Sequence, residues 1–434
     1  MIKKLFLFNL LFFSSCFALN AQTTAPVSEK TEKSDAREIR RQSFEKVWTT
    51  VNEKHFDPTF GGVDWRRMRE IYEPKAMAAK SDAEFHAVLN QMLGELKLSH
   101  FNVIPRTASI ETVQASGGTI GAELKMIEGR AVVNRIAKDS TAEKANLKSG
   151  LIIEKIDGKT VAELLAPIEK ILTERNENER ISRLYRERTL ESFLGGKPES
   201  VVKIETTDGS GKTLVFDVKR YAATSEMSEA MGNFPPQEVV FESKLLNGGD
   251  IGYIRFNMWT IPQMAKIRQA VRDFSKAKGI VFDLRGNPGG VGGMAPGVAG
   301  LLTNEKTSLG SMTSRTTEQK FIVYPQTNPF TGKVVILTDY GSASTSEVFA
   351  AGMQEIGRAV VVGETTPGGV LPSLFDTLPT GAIFQYAISD YKSPKNIFIE
   401  KRGVVPDVEI KQTQKALLEG RDLPLEEAIK QSLK

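Results

Sequence analysis

Val334-Val335-Ile336-Leu337-Thr338 is a short, β-branched apolar run bounded by Gly332 and Gly341. It reads as a buried strand. Val348, Phe349, Gly352, Met353 and Ile356 then fall at helical spacing, and Gly357 ends the run. Between strand and helix lies Gly341-Ser342-Ala343-Ser344-Thr345-Ser346-Glu347. A turn of small residues at that place puts hydroxyls beside the unpaired N–H groups of a helix start. Such a turn can act as a plain Ser/Thr cap. It can also expose a serine with donors beside it for a developing oxyanion.

The segment around this turn repeats the same alternation. Ile251–Phe256 and Gly279–Leu284 read as strands, as does Ala359–Gly363, and Met264, Ile267, Val271 and Phe274 mark a helix between the first two. Strands alternating with helices imply a layered α/β core, 238–412, with a largely parallel sheet. Leu417–Leu433, within 413–434, reads as one terminal amphipathic helix.

The N-terminal part differs. Residues 36–106 read as helical: Phe44, Val47, Trp48 and Val51 share one face, and Ser81 with Glu84 makes a capping box before a second apolar stripe. That helix is expected to run to about Lys97, and strand-like Phe101–Ile104 follows Ser99-His100. Residues 110–220 change to short strands. A glycine loop, Gly118-Thr119-Ile120-Gly121, precedes Ala122-Glu123-Leu124, an Ala-rich turn of helix, the strand Leu151–Ile156 and the Asp157-Gly158 turn. Leu164–Leu194 is helical, and Val201–Glu205 and Thr213–Val218 form a hairpin across Asp208–Gly211. The order resembles a PDZ domain. The resemblance implies that Gly118, Thr119, Ile120 and Gly121 offer backbone N–H groups to the carboxylate of a substrate tail. A small β-rich unit that binds nothing is the alternative.

Several classes are set aside by composition. A net charge of +4 over 434 residues, with no Lys/Arg block, gives no nucleic-acid surface. Lys3 and Lys4 precede the apolar run Leu5–Phe13, and Ala18–Ala21 offers a cleavage site, so 1–21 reads as a secretory signal peptide. Residues 22–35 are polar and read as a disordered leader. The single cysteine, Cys16, lies in the signal peptide, so the mature chain is expected in the periplasm without a disulfide. Phe13-Ser14-Ser15-Cys16 loosely matches a lipoprotein box, and anchoring at Cys16 is the second choice.

A second glycine motif completes the chemistry. Asp283-Leu284-Arg285-Gly286-Asn287-Pro288-Gly289-Gly290 follows a strand, where paired glycines let backbone N–H groups approach a ligand. Alone this is a tight turn. Together with the Ser344 turn, the strand–helix order and the preceding PDZ-like segment, it resembles the tail-specific serine peptidases of family S41. That resemblance implies a multidomain α/β chain with an N-terminal helical segment, a PDZ-like domain and a ClpP/crotonase-like layered core. It implies Ser344 as nucleophile, with Ser342 and Ser346 structural.

The Ser–Lys branch of the family carries a lysine where this chain has Gly369, in Thr365-Thr366-Pro367-Gly368-Gly369. The chain therefore resembles the tricorn and retinoid-binding branch, in which a Ser-His pair before the PDZ domain supplies the base. Of the three histidines, His55 follows the first helix and His86 lies inside the capped helix, and both have structural readings. Leu98-Ser99-His100 matches the tricorn segment. The resemblance makes His100 the base, oriented by Ser99 and by Glu400, which precedes Gly403-Val404-Val405-Pro406-Asp407. As a surface carboxylate, Glu400 would instead pair with Lys401 or Arg402. The N–H groups of Thr345 and of Gly289 or Gly290 would hold the oxyanion. Glu400 is expected to raise the His100 pKa above its ordinary ~6.5. No cofactor or metal is implied, and the partners are proteins or peptides with free C-termini. Two other readings remain: a non-catalytic carrier of apolar ligands, and an acyl-CoA enzyme, against which the export signal argues.

Overall fold

A computed structural model describes residues 29–105, 117–175, 177–222, 226–230 and 236–434. The signal peptide, its cleavage site and Cys16 lie outside the described residues, as do residues 22–28 of the polar leader; residues 29–35, expected to be disordered, instead open the helix Glu29–Lys54.

The core is a six-stranded sheet whose strands lie side by side in chain order: Phe241–Leu246, Ile251–Phe256, Gly279–Asp283, Lys333–Thr338, Val360–Gly363 and Val408–Glu409. All neighbours are parallel except the first pair. The central strands Gly279–Asp283 and Lys333–Thr338 are buried almost throughout, which is why they read as unbroken apolar runs. Helices Ile261–Asp273, Met294–Ala299 and Thr345–Glu355 pack on one face around Trp259, Phe282 and Phe349. The last helix, Leu423–Ser432, covers the other face with Leu425, Ala428 and Ile429.

The C-terminal segment is two helices, not one. Gln414–Leu418 stops before Gly420, which has φ 73°, and Asp422 caps a new helix with Pro424 in its first turn. The long helical stretch in the middle is likewise divided, into Val161–Arg175 and Glu179–Leu194, with the Asn178 side chain accepting from the Ile181 N–H.

The middle unit, 117–222, holds a separate antiparallel sheet built from Ala122–Ile127, Arg130–Ile136, Ile152–Ile156, Val201–Thr207 and Thr213–Lys219. The Glu179–Leu194 helix lies along the outer edge of Ala122–Ile127. There Glu191 accepts from the Leu124 N–H at 3.0 Å and Glu187 from the Met126 N–H at 2.6 Å.

The N-terminal helices do not close a core of their own. Phe44, Trp65, Phe85 and Leu89 pack with Leu371, Leu378, Phe384 and Tyr386, from the far end of the chain. Asn102–Ile104 pairs with Ile383–Ala387, which pairs in turn with Ser373–Thr377. The strand seen after His100 in the sequence is thus an edge of a sheet made mostly by residues 373–387. The capped helix runs Asp82–Gly94, shorter than its apolar stripe suggests, and irregular chain carries on to His100.

Candidate active site

Ser344 stands at the start of helix Thr345–Glu355 with φ 55° and ψ −117°. An ordinary N-cap is extended, and a non-glycine residue at positive φ is strained. The strain is held by surrounding bonds. The Ser344 N–H donates to Gly369 O at 2.8 Å and to Glu347 Oε2 at 3.0 Å. The second of these is the reciprocal arm of a capping box, with glutamate three residues after the cap. Ser342 and Ser346 are buried and structural: Ser342 Oγ donates to Leu284 O at 2.7 Å, and Ser346 Oγ to Asn287 O at 3.1 Å.

The glycine pair meets the turn directly. A Cβ on Gly289 would lie 2.6 Å from Ser344 Cβ, and one on Gly290 would lie 2.3 Å from Trp259 O. With φ values of 101° and 138°, neither position suits another residue. Thr345 Oγ1 donates to Gly290 O at 2.9 Å and pins the pair to the helix start. The three amides expected at the oxyanion are not equivalent. Gly289 N–H is taken by Asn287 Oδ1 at 3.0 Å, whereas Gly290 N–H and Thr345 N–H have no partner among the described residues. Of the three, the Gly290 and Thr345 amides are free to donate, and Gly289 approaches Ser344 closely.

His100, with φ 62°, shares with Ser344 the wall of one cavity of about 730 Å³. Its Nδ1 lies 2.7 Å from Ser99 Oγ, which donates to Glu400 Oε2 at 2.9 Å. Ser99 has a single hydroxyl proton, and it goes to the carboxylate. Ser99 Oγ must then accept from Nδ1–H, which leaves the Nε2 lone pair free. Glu400 also accepts from Ser99 N–H at 2.7 Å and Val370 N–H at 3.1 Å. These three donors, not Lys401 or Arg402, are its hydrogen-bond partners. Burial raises the Glu400 pKa, against the pull of its bonds from Ser99 and Val370.

The expected upward shift at His100 is reversed. Burial disfavours the charged ring and pushes its pKa down to about 4, and Ser99 stands between imidazole and carboxylate. The imidazole is therefore neutral at pH 7, the state a base requires. His55 is buried and stacked between Phe56 and Phe101, and His86 is buried with Nε2 3.0 Å from Thr380 Oγ1. Both lie outside the cavity lining.

Gly369 faces the Ser99–His100 segment. A Cβ there would point at Ser99, 3.6 Å from its Cβ and 3.8 Å from its Oγ. A Cβ at 369 would thus touch Ser99 at ordinary contact distance, and a longer side chain would project toward the Ser99–His100 segment. Residues 366–370 also carry a feature that the sequence reading passed over. Glu347, fully buried, accepts from Thr366 Oγ1 at 2.5 Å, Gly368 N–H at 2.8 Å and Gly369 N–H at 2.9 Å, while Glu400 holds Val370. Burial pushes the Glu347 pKa up to about 7, opposed by those bonds. The signal was present as a glutamate at capping-box spacing, but its second oxygen reaches a segment some twenty residues on.

The chain has relatives among known proteins. The pattern of peptidase family S41 matches residues 250–410, and that of the tricorn protease C1 domain matches residues 36–94. Residues 250–410 belong to peptidase family S41. The chain is 27% identical over 307 residues to the carboxy-terminal processing protease CtpB of Bacillus subtilis, covering 70% of this chain and 57% of that one. A carboxyl-terminal-processing protease of Synechocystis is 25% identical over 376 residues, 84% of this chain and 79% of its own. The chain thus spans less than two thirds of the Bacillus relative. Among solved structures, the photosystem II D1 C-terminal processing protease superposes with a TM-score of 0.56 at 23% identity, covering 86% of this chain and 93% of that one. Mature CPAF complexed with lactacystin gives 0.58 at 13% identity, over 91% and 98%. These likenesses concern the fold.

The glycine loop of the middle unit is spent on internal bonds. Gly118 N–H donates to Gly196 O at 2.9 Å and Gly121 N–H to Thr119 Oγ1 at 3.0 Å, and Ile120 is buried. The amides of Gly118 and Gly121 expected to hold a carboxylate are not free, and the adjoining strand edge is covered by Glu187 and Glu191.

Proposed function

We propose that this chain is a serine peptidase acting on protein or peptide substrates by a Ser-His-Glu acyl-enzyme mechanism. The observation that carries the reading is the hydrogen-bonded chain from Glu400 through Ser99 to His100, whose ring lines the same cavity as Ser344. Ser344 Oγ attacks the peptide carbonyl, and His100 Nε2 takes its proton and returns it to the leaving amine. Ser99 and Glu400 fix the tautomer and stabilise the imidazolium. Gly290 N–H and Thr345 N–H receive the oxyanion. Met258, Val291, Met312 and Phe321 give the cavity an apolar wall, which suits an uncharged substrate side chain.

The test is labelling with a fluorophosphonate, together with peptide turnover. Ser344→Ala and His100→Ala are expected to abolish both, whereas His55→Ala and His86→Ala keep them in whatever fraction folds. Full turnover in His100→Ala would remove the base from this mechanism. A carrier of apolar ligands would not label at all.

In this reading the 117–222 unit is PDZ-like and the core ClpP/crotonase-like, and the protein is exported to the periplasm. A substrate tail enters along Ala122–Ile127 only after the Glu187 and Glu191 carboxylates leave that edge. Equal affinity for free and C-terminally amidated peptides would sink tail recognition.

A further inference from the structure

The turn that carries Ser344 and the loop that carries Gly290 share one anchor, Asp339. Its Oδ1 accepts from Gly286 N–H and Gly341 N–H, both at 2.8 Å, and Ser342 Oγ lies 3.3 Å away. The two loops touch here: a Cβ on Gly341 would lie 2.8 Å from Gly286 Cα. From Gly286 the chain reaches the unpartnered amide of Gly290 in four residues, and from Gly341 it reaches Ser344 in three. Any movement of Asp339 therefore changes how nucleophile and oxyanion donor face each other.

Asp339 is buried, and its second oxygen is held from outside the core. Oδ2 pairs at 2.7 Å with Nζ of Lys125, from strand Ala122–Ile127 of the middle unit. Lys125 also lies 3.4 Å from Glu187 and 4.6 Å from the Tyr340 ring centroid. Glu187 in turn accepts from the Tyr340 hydroxyl, and Arg183 stacks on the Tyr340 ring at 3.7 Å while pairing with Glu364 at 2.7 Å. Burial works against the Lys125 charge, but the carboxylates of Asp339 and Glu187 outweigh it and hold the ammonium protonated.

We propose that Lys125 is a positioning residue for the reaction: it keeps Asp339 ionised and aimed at the Gly286 and Gly341 amides, and so fixes Gly290 against Ser344. The inference rests on the peptidase reading above. Without the ammonium, a buried carboxylate takes up a proton or turns toward water. Its charge-assisted bonds to the two amides then weaken. Substrate still enters the cavity, since Lys125 is not among the residues that line it.

The experiment is steady-state kinetics on the full chain with a peptide substrate, beside fluorophosphonate labelling rates. Lys125→Met is expected to lower kcat about ten- to a hundredfold, with KM changed by less than about twofold. Lys125→Arg restores kcat to within about threefold, because a guanidinium still meets Oδ2. Asp339→Asn lowers kcat similarly, and the double variant is no worse than the poorer single within about threefold. Lys155→Met, which breaks a half-buried pair with Glu205 in the same unit, leaves kcat unchanged. If Lys125 merely joins the two units, Lys125→Met lowers the melting temperature but keeps kcat, and the proposal fails. Additive losses would also overturn it. Should Lys125→Met not fold, Lys125→Arg and Asp339→Asn decide: normal kcat in Asp339→Asn refutes the inference. A wild-type chain that neither turns over nor labels would instead refute the peptidase reading.

Discussion

At the scale of single residues, the direction of one proton decides whether His100 can act. Ser99 Oγ donates to Glu400, so Nδ1 of His100 is the protonated nitrogen and Nε2 is free. In Glu400→Gln an amide nitrogen facing Ser99 reverses the chain: Ser99 then donates to Nδ1, and Nε2 carries the proton. We expect kcat to fall on the order of a thousandfold with little change in KM, as wrong-tautomer variants of such triads do. Stopped assays over a peptide concentration series measure it, and a loss confined to KM would argue against the relay. The pH profile gives a second check. In the proposed mechanism the neutral ring is the active form, and its pKa is pushed down to about 4. Activity is therefore expected to persist below pH 6.5 and to fall as pH approaches 4. A midpoint above ~6.5 would mean that the Glu400 charge, not burial, governs the ring. Glu347 is the other residue whose protons matter. Both of its oxygens face backbone donors, so in Glu347→Gln one N–H must confront an NH₂ group. That variant is expected to lose roughly 1–3 kcal/mol of stability, measurable by urea melts, together with most turnover.

Among the elements, those that read most clearly from sequence carry their signal locally. The parallel strands announced themselves as apolar runs because both faces are covered, and the helix at Asp82 through the Ser81 side chain, which accepts from the Glu84 N–H at 3.1 Å. The glycine pair was legible for the same reason, and its geometry gives a prediction. Gly290→Ala places a methyl group against Trp259 O, a backbone atom that cannot swing away, at a φ that alanine avoids. The loop must retreat from Ser344, and we expect kcat to fall at least about a hundredfold, the cost of a lost oxyanion donor, with folding retained by circular dichroism. Other features were illegible because their partners lie far away in sequence. Nothing near Lys125 points to Asp339, over two hundred residues on, and the apolar stripe of helix Asp82–Gly94 names a buried face but not Phe384 behind it. The break at Gly420 was readable from Gly-Arg-Asp-Leu-Pro, yet the continuing apolar periodicity masked it. Helix Glu179–Leu194 adds a case in which contact, not pattern, sets the chemistry. Burial pushes the Glu191 pKa up to about 7, against its bond from the Leu124 N–H. A carboxyl whose folded pKa is raised supports the fold below its ordinary value and withdraws that support as pH climbs through 7. Glutamine keeps the acceptor without the charge. Glu191→Gln is therefore expected to gain roughly 2 kcal/mol relative to wild type between pH 5 and pH 8, read from urea midpoints at the two pH values.

Across the whole molecule, the proposed base and nucleophile come from distant parts of the chain, and the shared core explains how they stay aligned. His100 follows the N-terminal helices, and those helices pack on Leu371, Leu378, Phe384 and Tyr386. Strand Asn102–Ile104 is hydrogen-bonded to Ile383–Ala387, so the segment that ends at His100 is fastened to the 373–387 sheet on the cavity's own rim. Removing residues 1–116 would strip the cover from those four side chains. At roughly 1.5–3 kcal/mol for each large apolar group exposed, the loss is about 6–12 kcal/mol. That is comparable to the total stability of an ordinary domain, about 5–15 kcal/mol. We expect the 117–434 fragment to aggregate or to melt without a cooperative transition, and to show no fluorophosphonate labelling, since it also lacks Ser99 and His100. Supplying residues 36–105 as a separate chain is expected to restore both the transition and the labelling, because the contacts that join them are non-covalent. A fragment that melts cooperatively at the full chain's temperature would show that the S41 core is stable without the helical segment. The helices would then serve only to deliver the histidine.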